Sequence, residues 1–383
     1  MAAKRSIFEE VGDETPQTRR QPAQTGMIDQ AKRGARGAIR VWLMALFALV
    51  VAMILVGGLT RLTDSGLSIT EWKPVTGAIP PMSEAEWTAE FVKYRQIPEF
   101  RLQNSEMTLD EFKSIYWWEW AHRQLGRVIG LVWALGFIGF LLAGRIPPGW
   151  KGRLFVPGVL GAMQGGVGWL MVSSGLGGDM LDVASYWLAA HLGLAFVILG
   201  VLAWDIFLLS RPERQLMQAR RIREAGLLRI GTWLMCLVFL QILLGALVAG
   251  IDAGRAFPTW PMMGGGFLPP DPFGIEPMWR NFFEDAGLVQ FMHRMTGYAV
   301  LILALFAWYR SRSSTHRRTR RAFDWTLVMT FGQVVIGIVA VLAQAQWHVA
   351  ITHQFLAIVV WVLVLRARFL AAYPLAGSVR EGR

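Results

Sequence analysis

Cysteine and charged residues are scarce in this sequence. Its 383 residues include a single cysteine, Cys236. This excludes an intramolecular disulfide and a cysteine-based metal site, and the position inside an apolar run predicts a small buried residue. Charged residues make up 17% of the chain and hydrophobic residues 54%. A soluble protein of this length normally carries more charge, so the composition indicates a membrane protein with several spans.

Long apolar runs take up much of the remaining sequence. A run of about 20 apolar residues is enough for a helix to cross a bilayer, and eight such runs occur. The first 39 residues contain no apolar segment of the kind that a signal peptide needs, so we expect no cleaved leader. We predict an all-α integral membrane protein with spans at about 40–59, 116–143, 154–173, 185–210, 228–250, 289–309, 323–343 and 350–370.

The net charge of +11 is distributed unevenly across the predicted membrane. With the N-terminus inside, the inner segments hold 27 of the 38 lysines and arginines, and the outer segments hold 8. An inner excess of basic residues is the signal that orients membrane proteins. We therefore predict that both termini lie inside. The basic charge then reflects membrane orientation, and we expect no nucleic-acid partner.

The sequence repeats itself in two halves. Three pairs of segments correspond: GGLTRLTDSG (57–66) with GALVAGIDAG (245–254), HRQLGR (122–127) with HRMTGY (293–298), and QGGVG (164–168) with QVVIG (333–337). Spans 1–4 and 5–8 should therefore form two duplicated four-helix bundles. Cofactor sites in such bundles form between side chains on facing helices.

These halves give the predicted domain boundaries. In the outer loop, SEAE (83–86) and TLDE (108–111) have the pattern of helix capping boxes. The second should begin a helix that continues unbroken into span 2. The domains are an inner tail at 1–39, an N-terminal half at 40–210 with an outer loop at 60–115, an inner linker at 211–227, a C-terminal half at 228–370 and an inner tail at 371–383.

Four of the six histidines lie near the outer ends of the even-numbered spans: His122, His191, His293 and His353. A single membrane histidine often makes only an interhelical hydrogen bond. Four at one depth, two in each half, suit axial ligation of haem iron better. A zinc or copper site made of all four is a less natural alternative, because such ligands commonly come as close sequence pairs.

The two remaining histidines do not fit this repeat. His316 lies in a basic inner loop, where we expect a solvated residue. His348 lies just outside the last span, and we interpret it as an interface residue whose role stays open.

Glycines and arginines accompany the four histidines. Gly126 and Gly130 follow His122 by four and eight positions, and Gly297 follows His293 by four. Glycine on a ligand face lets a flat ring lie against the helix, although small residues also serve helix packing. Three arginines near the outer face could pair with haem propionates or extend to the headgroups: Arg123, Arg127 and Arg294.

Glu119 distinguishes the two halves, because Gln290 occupies the corresponding position. It lies three residues before His122, on nearly the same helix face, and four before Arg123. A simple helix ion pair is one interpretation. The other is a reaction site in the first half and a cofactor site in the second, with Glu119 acting on a proton or a developing cation.

The sequence resembles the haem A synthase family, most closely its alphaproteobacterial and mitochondrial branch. The resemblance covers about residues 40–370 and rests on LTRLTDSGLSITEWKPVTGAIPP (59–81), the long outer loop, WWEWAHR (117–123) and the four helix-start histidines. It implies an eight-helix membrane protein that oxidises the C8 methyl group of haem O twice. The resulting gem-diol loses water to give the formyl group of haem A, and a haem b serves as cofactor.

The same resemblance implies residue roles. His293 and His353 would be the axial ligands of haem b, whereas His122 and His191 would flank the haem O iron, with Glu119 beside the substrate. A cysteine pair found in another branch of the family is absent here, so no thiol relay takes part. The enzyme would reside in the cell membrane, with its histidines near the outer, periplasmic face, and haem O would arrive from the membrane haem O synthase.

A second function remains open at this stage, a di-haem b electron-transfer subunit with two permanent haems. The shared depth of the histidines and the single Glu119 favour chemistry at one site instead. A transporter with inverted repeats is disfavoured because halves of four spans repeat in parallel. The electron acceptor, the source of the inserted oxygen and a homo-oligomeric state also remain open.

The loop charges predict the topology directly. Reporter fusions after residues 100, 180 and 270 should report the outer side, and fusions after 148, 220 and 315 the inner side. A cytoplasmic signal from the fusion after residue 100 would overturn both the orientation and the outer placement of the histidines.

Overall fold

The computed structural model describes residues 27–177 and 183–375, with side chains from residue 35. Within these ranges the chain is helical, and its β-structure is limited to an isolated bridge between Met263 and Gly266. The predicted inner tails fall largely on residues 1–26 and 376–383, which lie outside the described residues.

Among the described residues, eight helices are long and apolar enough to cross a membrane, and each overlaps one predicted span, which confirms the predicted all-α membrane fold class. They are α1 (Met27–Leu62), α4 (Leu109–Leu142), α5 (Lys151–Gly175), α6 (Ser185–Leu209), α8 (Ala225–Gly250), α11 (Ala286–Ser311), α12 (Arg317–Leu342) and α13 (Trp347–Ala372). Five shorter helices are α2 (Glu84–Tyr94), α3 (Pro98–Leu102), α7 (Glu213–Arg221), α9 (Ala253–Ala256) and α10 (Asn281–Glu284), with 3₁₀ turns at Thr76–Ala78 and Met278–Arg280.

Several helices extend beyond the predicted spans. The first begins at Met27, inside the segment predicted as a tail, and α4 begins at Leu109, inside the predicted outer loop. The linker at 211–227 contains α7 and the start of α8. Hydropathy marks only the part of a helix that crosses the hydrocarbon, whereas the backbone continues as a helix through polar sequence beyond it.

Both predicted capping boxes are present. Ser83 accepts a hydrogen bond from the Glu86 backbone N–H and starts α2. Thr108 does the same with Glu111, and α4 then runs without interruption to Leu142. This long helix carries Glu119 and His122 from the outer loop into the bundle.

The spanning helices pack in two groups. One group consists of α1, α4, α5 and α6, and the other of α8, α11, α12 and α13. The groups meet where α6 and α1 pack against α8 and α13, and the largest hydrophobic core runs through this contact. Phe196, Leu199 and Leu202 of α6 lie in it beside Val364 of α13, each at most 1% exposed.

Cys236 differs from its prediction. It lies on α8 and is exposed on the surface of the bundle, so the prediction of a buried residue is wrong. In a membrane helix the lipid-facing surface is also apolar, so an apolar sequence context does not separate buried positions from those that face lipid.

Candidate active site

The four histidines on the even-numbered spans form two pairs of facing rings. The ring centroids of His122 on α4 and His191 on α6 lie 6.4 Å apart, with the planes at 69°. His293 on α11 and His353 on α13 show the same separation of 6.4 Å and an angle of 74°. Each packing group therefore contains one pair.

The spacing of each pair leaves room for one metal ion. A metal ion binds imidazole nitrogens at about 2.0 Å, so two nitrogens on opposite sides of it lie about 4 Å apart. Each ring centroid lies one ring radius beyond its nitrogen, so the expected separation of the centroids is close to the 6.4 Å found in both pairs. Within residues 27–177 and 183–375, no group of three or more His, Cys, Asp or Glu side chains could hold a metal ion, so a site made of all four histidines is not formed.

Glycines on neighbouring helices allow the imidazole rings to lie against the helix backbone. A Cβ added at any of four positions would come within 2.8–3.1 Å of a histidine ring atom, closer than ordinary packing. The four contacts are Gly57 with His122, Gly168 with His191, Gly245 with His293, and Gly337 with His353.

The three glycines that follow the histidines on their own helices have a different predicted role, which is to leave room for a flat ring against the helix. A Cβ at Gly126 would approach Met53 at 3.4 Å, one at Gly297 would approach Gln241 at 3.2 Å, and one at Gly130 would meet open space. All three line the cavity but do not support a histidine ring. A signal for the supporting glycines was present, because they occupy matching positions in the repeated segments quoted above.

Glutamines provide a second set of supports that the sequence did not reveal. Gln241 donates from Nε2 to the backbone carbonyl of His293 at 3.0 Å and lies 3.3 Å from its ring Nε2. Gln333 repeats both contacts with His353, at 3.1 and 3.3 Å. These side chains hold helices α8 and α12 against the helices that carry the second pair of histidines.

The first pair has less of this support. Gln164 donates to the backbone carbonyl of His191 at 3.0 Å. Met53 occupies the position that corresponds to Gln241 and brings a thioether to the wall of the cavity. The two sites therefore share the spacing of their histidines but differ in the polar groups around the rings.

Glu119 is 2% exposed and accepts hydrogen bonds at both carboxylate oxygens. Oε1 accepts from the Arg123 guanidinium at 2.5 and 3.0 Å. Oε2 accepts from the Ser68 hydroxyl at 2.8 Å and from the Ile69 backbone N–H at 2.6 Å. All of these partners are donors, so the carboxylate is held in one orientation as an acceptor.

The corresponding residues of the second group form a weaker network. Arg294 donates to Gln290 at 3.3 Å and to the Phe257 carbonyl at 2.9 Å. Its Nε and Nη1 are buried and have no hydrogen-bond partner among the described residues. Buried donors of this kind require a partner, and a carboxylate is the group that a guanidinium binds best.

The other arginines connect the outer loop to the helices. Arg123 also donates to the carbonyls of Glu71 and Ile69, at 2.9 and 2.6 Å. Arg127 donates to the carbonyls of Lys73 and Pro74, each at 2.9 Å. Hydrogen bonds from Lys73 and Lys93 lower the pKa of Glu71, which keeps this loop carboxylate ionised.

Arg61 joins the two packing groups near the C-terminal ends of α1 and α8. It donates to Asp64 and to Asp252, both at 2.9 Å. The two aspartates occupy corresponding positions in the repeat, and both adopt positive φ at the turn that follows a spanning helix.

A single cavity of about 930 Å³ connects these groups. Its walls include both histidine pairs, Glu119 and the predicted arginines at 123, 127 and 294. His348 lies elsewhere, exposed and edge-on to Trp347 with ring centroids 5.8 Å apart. His316 lies directly before α12, in the loop predicted for it, but its side chain makes no capping hydrogen bond there. It is half-buried and its Nδ1 lies 3.2 Å from the Leu375 carbonyl, so it is less solvated than predicted.

The chain is similar to known proteins over nearly its whole length. The family model described as "COX15-CtaA: Cytochrome oxidase assembly protein" matches residues 40–365. Heme A synthase from Dinoroseobacter shibae is 65% identical over 381 residues, which cover 99% of both chains. Heme A synthase from Ruegeria pomeroyi is 64% identical, covering 99% of this chain and 100% of the relative. A Cereibacter sphaeroides Heme A synthase is 59% identical, covering 99% and 98%.

The residues that the family model matches include the outer loop and all four histidines of the two pairs. With these extents of identity and coverage, the chain belongs to the COX15-CtaA family of cytochrome oxidase assembly proteins.

Proposed function

We propose that this protein is a haem A synthase, a membrane oxidoreductase that converts haem O to haem A. The C8 methyl group of haem O is hydroxylated twice, and the gem-diol loses water to give the formyl group. The observation that carries this proposal is the pair of histidine sites with equal ring spacing, of which only the first has a buried carboxylate beside it.

The second pair is the better candidate for a permanent cofactor, haem b. His293 and His353 would hold its iron, and bound haem b would supply one-electron chemistry. The glutamines on α8 and α12 keep the two ligand helices in place. The unpartnered nitrogens of Arg294 would receive a propionate, and this pairing would satisfy them.

The first pair is the candidate substrate site. His122 and His191 would flank the iron of haem O and orient the macrocycle. Arg123 is already engaged with Glu119 and two loop carbonyls, so it serves to position the carboxylate and the loop. Arg127 lines the cavity and donates to two carbonyls of the outer loop, so it would help to hold this loop over the bound porphyrin.

Glu119 would act as a fixed negative charge at the reacting edge of the substrate. Its four hydrogen bonds orient it before the reaction, so little reorganisation is needed when positive charge develops. An oriented charge in a site that excludes water is worth more than the same charge in solvent. The second group has a neutral amide in the corresponding place, at Gln290, which fits a haem that is held and not modified.

The protein would reside in the cell membrane with both termini inside and the histidines near the outer face. Haem O is itself an amphiphile of the membrane, and direct handover from a membrane haem O synthase would spare it passage through water. The sequence correspondences support an origin of the two halves by duplication, after which one site kept a cofactor and the other acquired a reaction.

We expect substitutions in the two histidine pairs to have different effects. His293→Ala or His353→Ala removes one iron ligand and should greatly reduce the haem b that is retained on purification. His122→Ala and His191→Ala should leave haem b in place but abolish conversion of haem O. Absorbance spectra and chromatography of extracted haem measure both quantities. Equal loss of haem b from all four variants would contradict the division of roles.

Glu119→Gln tests the carboxylate. The variant should keep its haem b and its binding of haem O but lose about a hundredfold or more in haem A formation, the typical effect of removing a positioned electrostatic or acid–base group. Accumulation of the hydroxymethyl form would show that the second oxidation depends on the charge.

Two matched variants make this test specific. Glu71→Gln removes another carboxylate from the cavity wall and should leave the rate close to that of the wild type. Ser68→Ala removes one hydrogen bond from Glu119, keeps the charge and should cost much less than Glu119→Gln. A rate near wild type for Glu119→Gln would contradict the proposal and show that Glu119 serves only as a structural ion-pair partner of Arg123.

A further inference from the structure

A second cleft lies near the end of the bundle opposite to the histidines. It has a volume of about 600 Å³ and opens on the surface between α5 and α8, with α6 and α13 also contributing to its walls. Most of its wall is apolar and comes from Val156, Val197, Val201, Met235, Phe239 and Leu365. Neither the proposed cofactor site nor the proposed substrate site uses these residues.

The length of the cleft along α6 is similar to the hydrocarbon thickness of one lipid leaflet. On α6 its wall runs from Asp205 to Val197, which lie eight positions apart and therefore about 12 Å apart along the helix. Half of a hydrocarbon core about 30 Å thick is of similar length. An extended acyl chain could therefore lie along the apolar wall with its headgroup at the charged end.

The charged end carries two arginines with free donors. Arg153 is half exposed and donates one hydrogen bond, to the buried Asp205 at 3.3 Å. Arg368 lies over the Trp204 ring at 5.1 Å and donates from Nε to Thr232 at 3.0 Å. Its two terminal nitrogens have no hydrogen-bond partner among the described residues.

The ion pair between Arg153 and Asp205 has no counterpart in the other half of the repeat. When Gln164 is aligned with Gln333, Arg153 corresponds to Ala322. When His191 is aligned with His353, Asp205 corresponds to Ala367. Both alanines are buried, at 5% and 1% exposure, so the equivalent place in the other half is closed and apolar. An ionisable residue buried in a membrane helix marks a functional site by default, and here it orients one of two arginines beside an apolar cleft.

We propose that this cleft binds one anionic phospholipid, with the phosphate on Arg153 and Arg368 and an acyl chain along α6 and α8. Basic pockets between membrane helices on the inner side are typical sites for anionic headgroups. Asp205 holds Arg153 at the mouth, and the net positive charge of the three groups selects an anionic headgroup over a zwitterionic one. The bound lipid would fill the groove between the two packing groups.

Native mass spectrometry of the full-length protein tests this directly. The protein is reconstituted in phosphatidylcholine nanodiscs with or without phosphatidylglycerol of the same acyl chains and then extracted in mild detergent. We expect one phosphatidylglycerol to remain bound per chain. Each arginine near an anionic headgroup contributes about a fivefold preference, so the double variant Arg153→Gln/Arg368→Gln should lower retention by about 25-fold.

Two further variants separate lipid binding from misfolding. Arg310→Gln/Arg321→Gln removes two exposed arginines from the same end of the bundle and should retain phosphatidylglycerol like the wild type. Val201→Trp fills the cleft without altering charge and should also lose the lipid. The haem content and melting temperature of each variant report whether the fold is intact.

Cys236 supplies an independent readout, because it is the only cysteine of the chain and it lines the cleft. Phosphatidylglycerol should slow its labelling by a membrane-permeant maleimide, and the double arginine variant should remove this protection. Equal labelling in both lipids, equal retention of phosphatidylcholine, or retention of a different amphiphile such as a quinone would overturn the proposal.

Discussion

The separation of two facing imidazole rings is the constraint on which the rest of this structure depends. At 6.4 Å between centroids, each pair is spaced for one metal ion between its rings. Such a spacing requires the ligand helices to lie at a fixed distance and the rings to lie edge-on against their neighbours. The glycines at 57, 168, 245 and 337 meet the second requirement, because any side chain there would meet a ring. The interhelical glutamines help to meet the first.

On this shared framework the two sites have become chemically different. The first pair has Glu119 and Met53 where the second has Gln290 and Gln241. A buried carboxylate is costly in a membrane, and this one is compensated by an arginine, a hydroxyl and a backbone N–H. In the second site the corresponding arginine is Arg294, and no carboxylate within the described part of the chain pairs with it. Two of its buried nitrogens have no hydrogen-bond partner among the described residues, which suits an anionic ligand from outside the chain. These differences are the basis for the proposed division between a reaction site and a cofactor site.

Much of the architecture could be predicted from sequence because the bilayer imposes simple rules. The eight spans follow from apolar length, and the start of α4 follows from the capping box at Thr108. The four histidines could be selected because the repeat puts one of them in each even-numbered span, two in each half. In contrast, the roles of the supporting glycines and the interhelical glutamines depend on which residues of different helices come into contact. The repeat marks the positions of the glycines, but neither the repeat nor hydropathy shows which side chain each of them meets. The exposure of Cys236 was missed for a related reason, since lipid and protein interior are both apolar.

The haem content of the purified protein tests the central claim most directly. Haem is extracted from the protein as isolated from cells that make haem O and is then separated by chromatography. A haem A synthase with one cofactor site and one substrate site should yield haem b together with haem O or haem A. Haem b alone, at two per chain, would contradict the account, because both histidine pairs would then hold permanent cofactors as in a di-haem electron carrier.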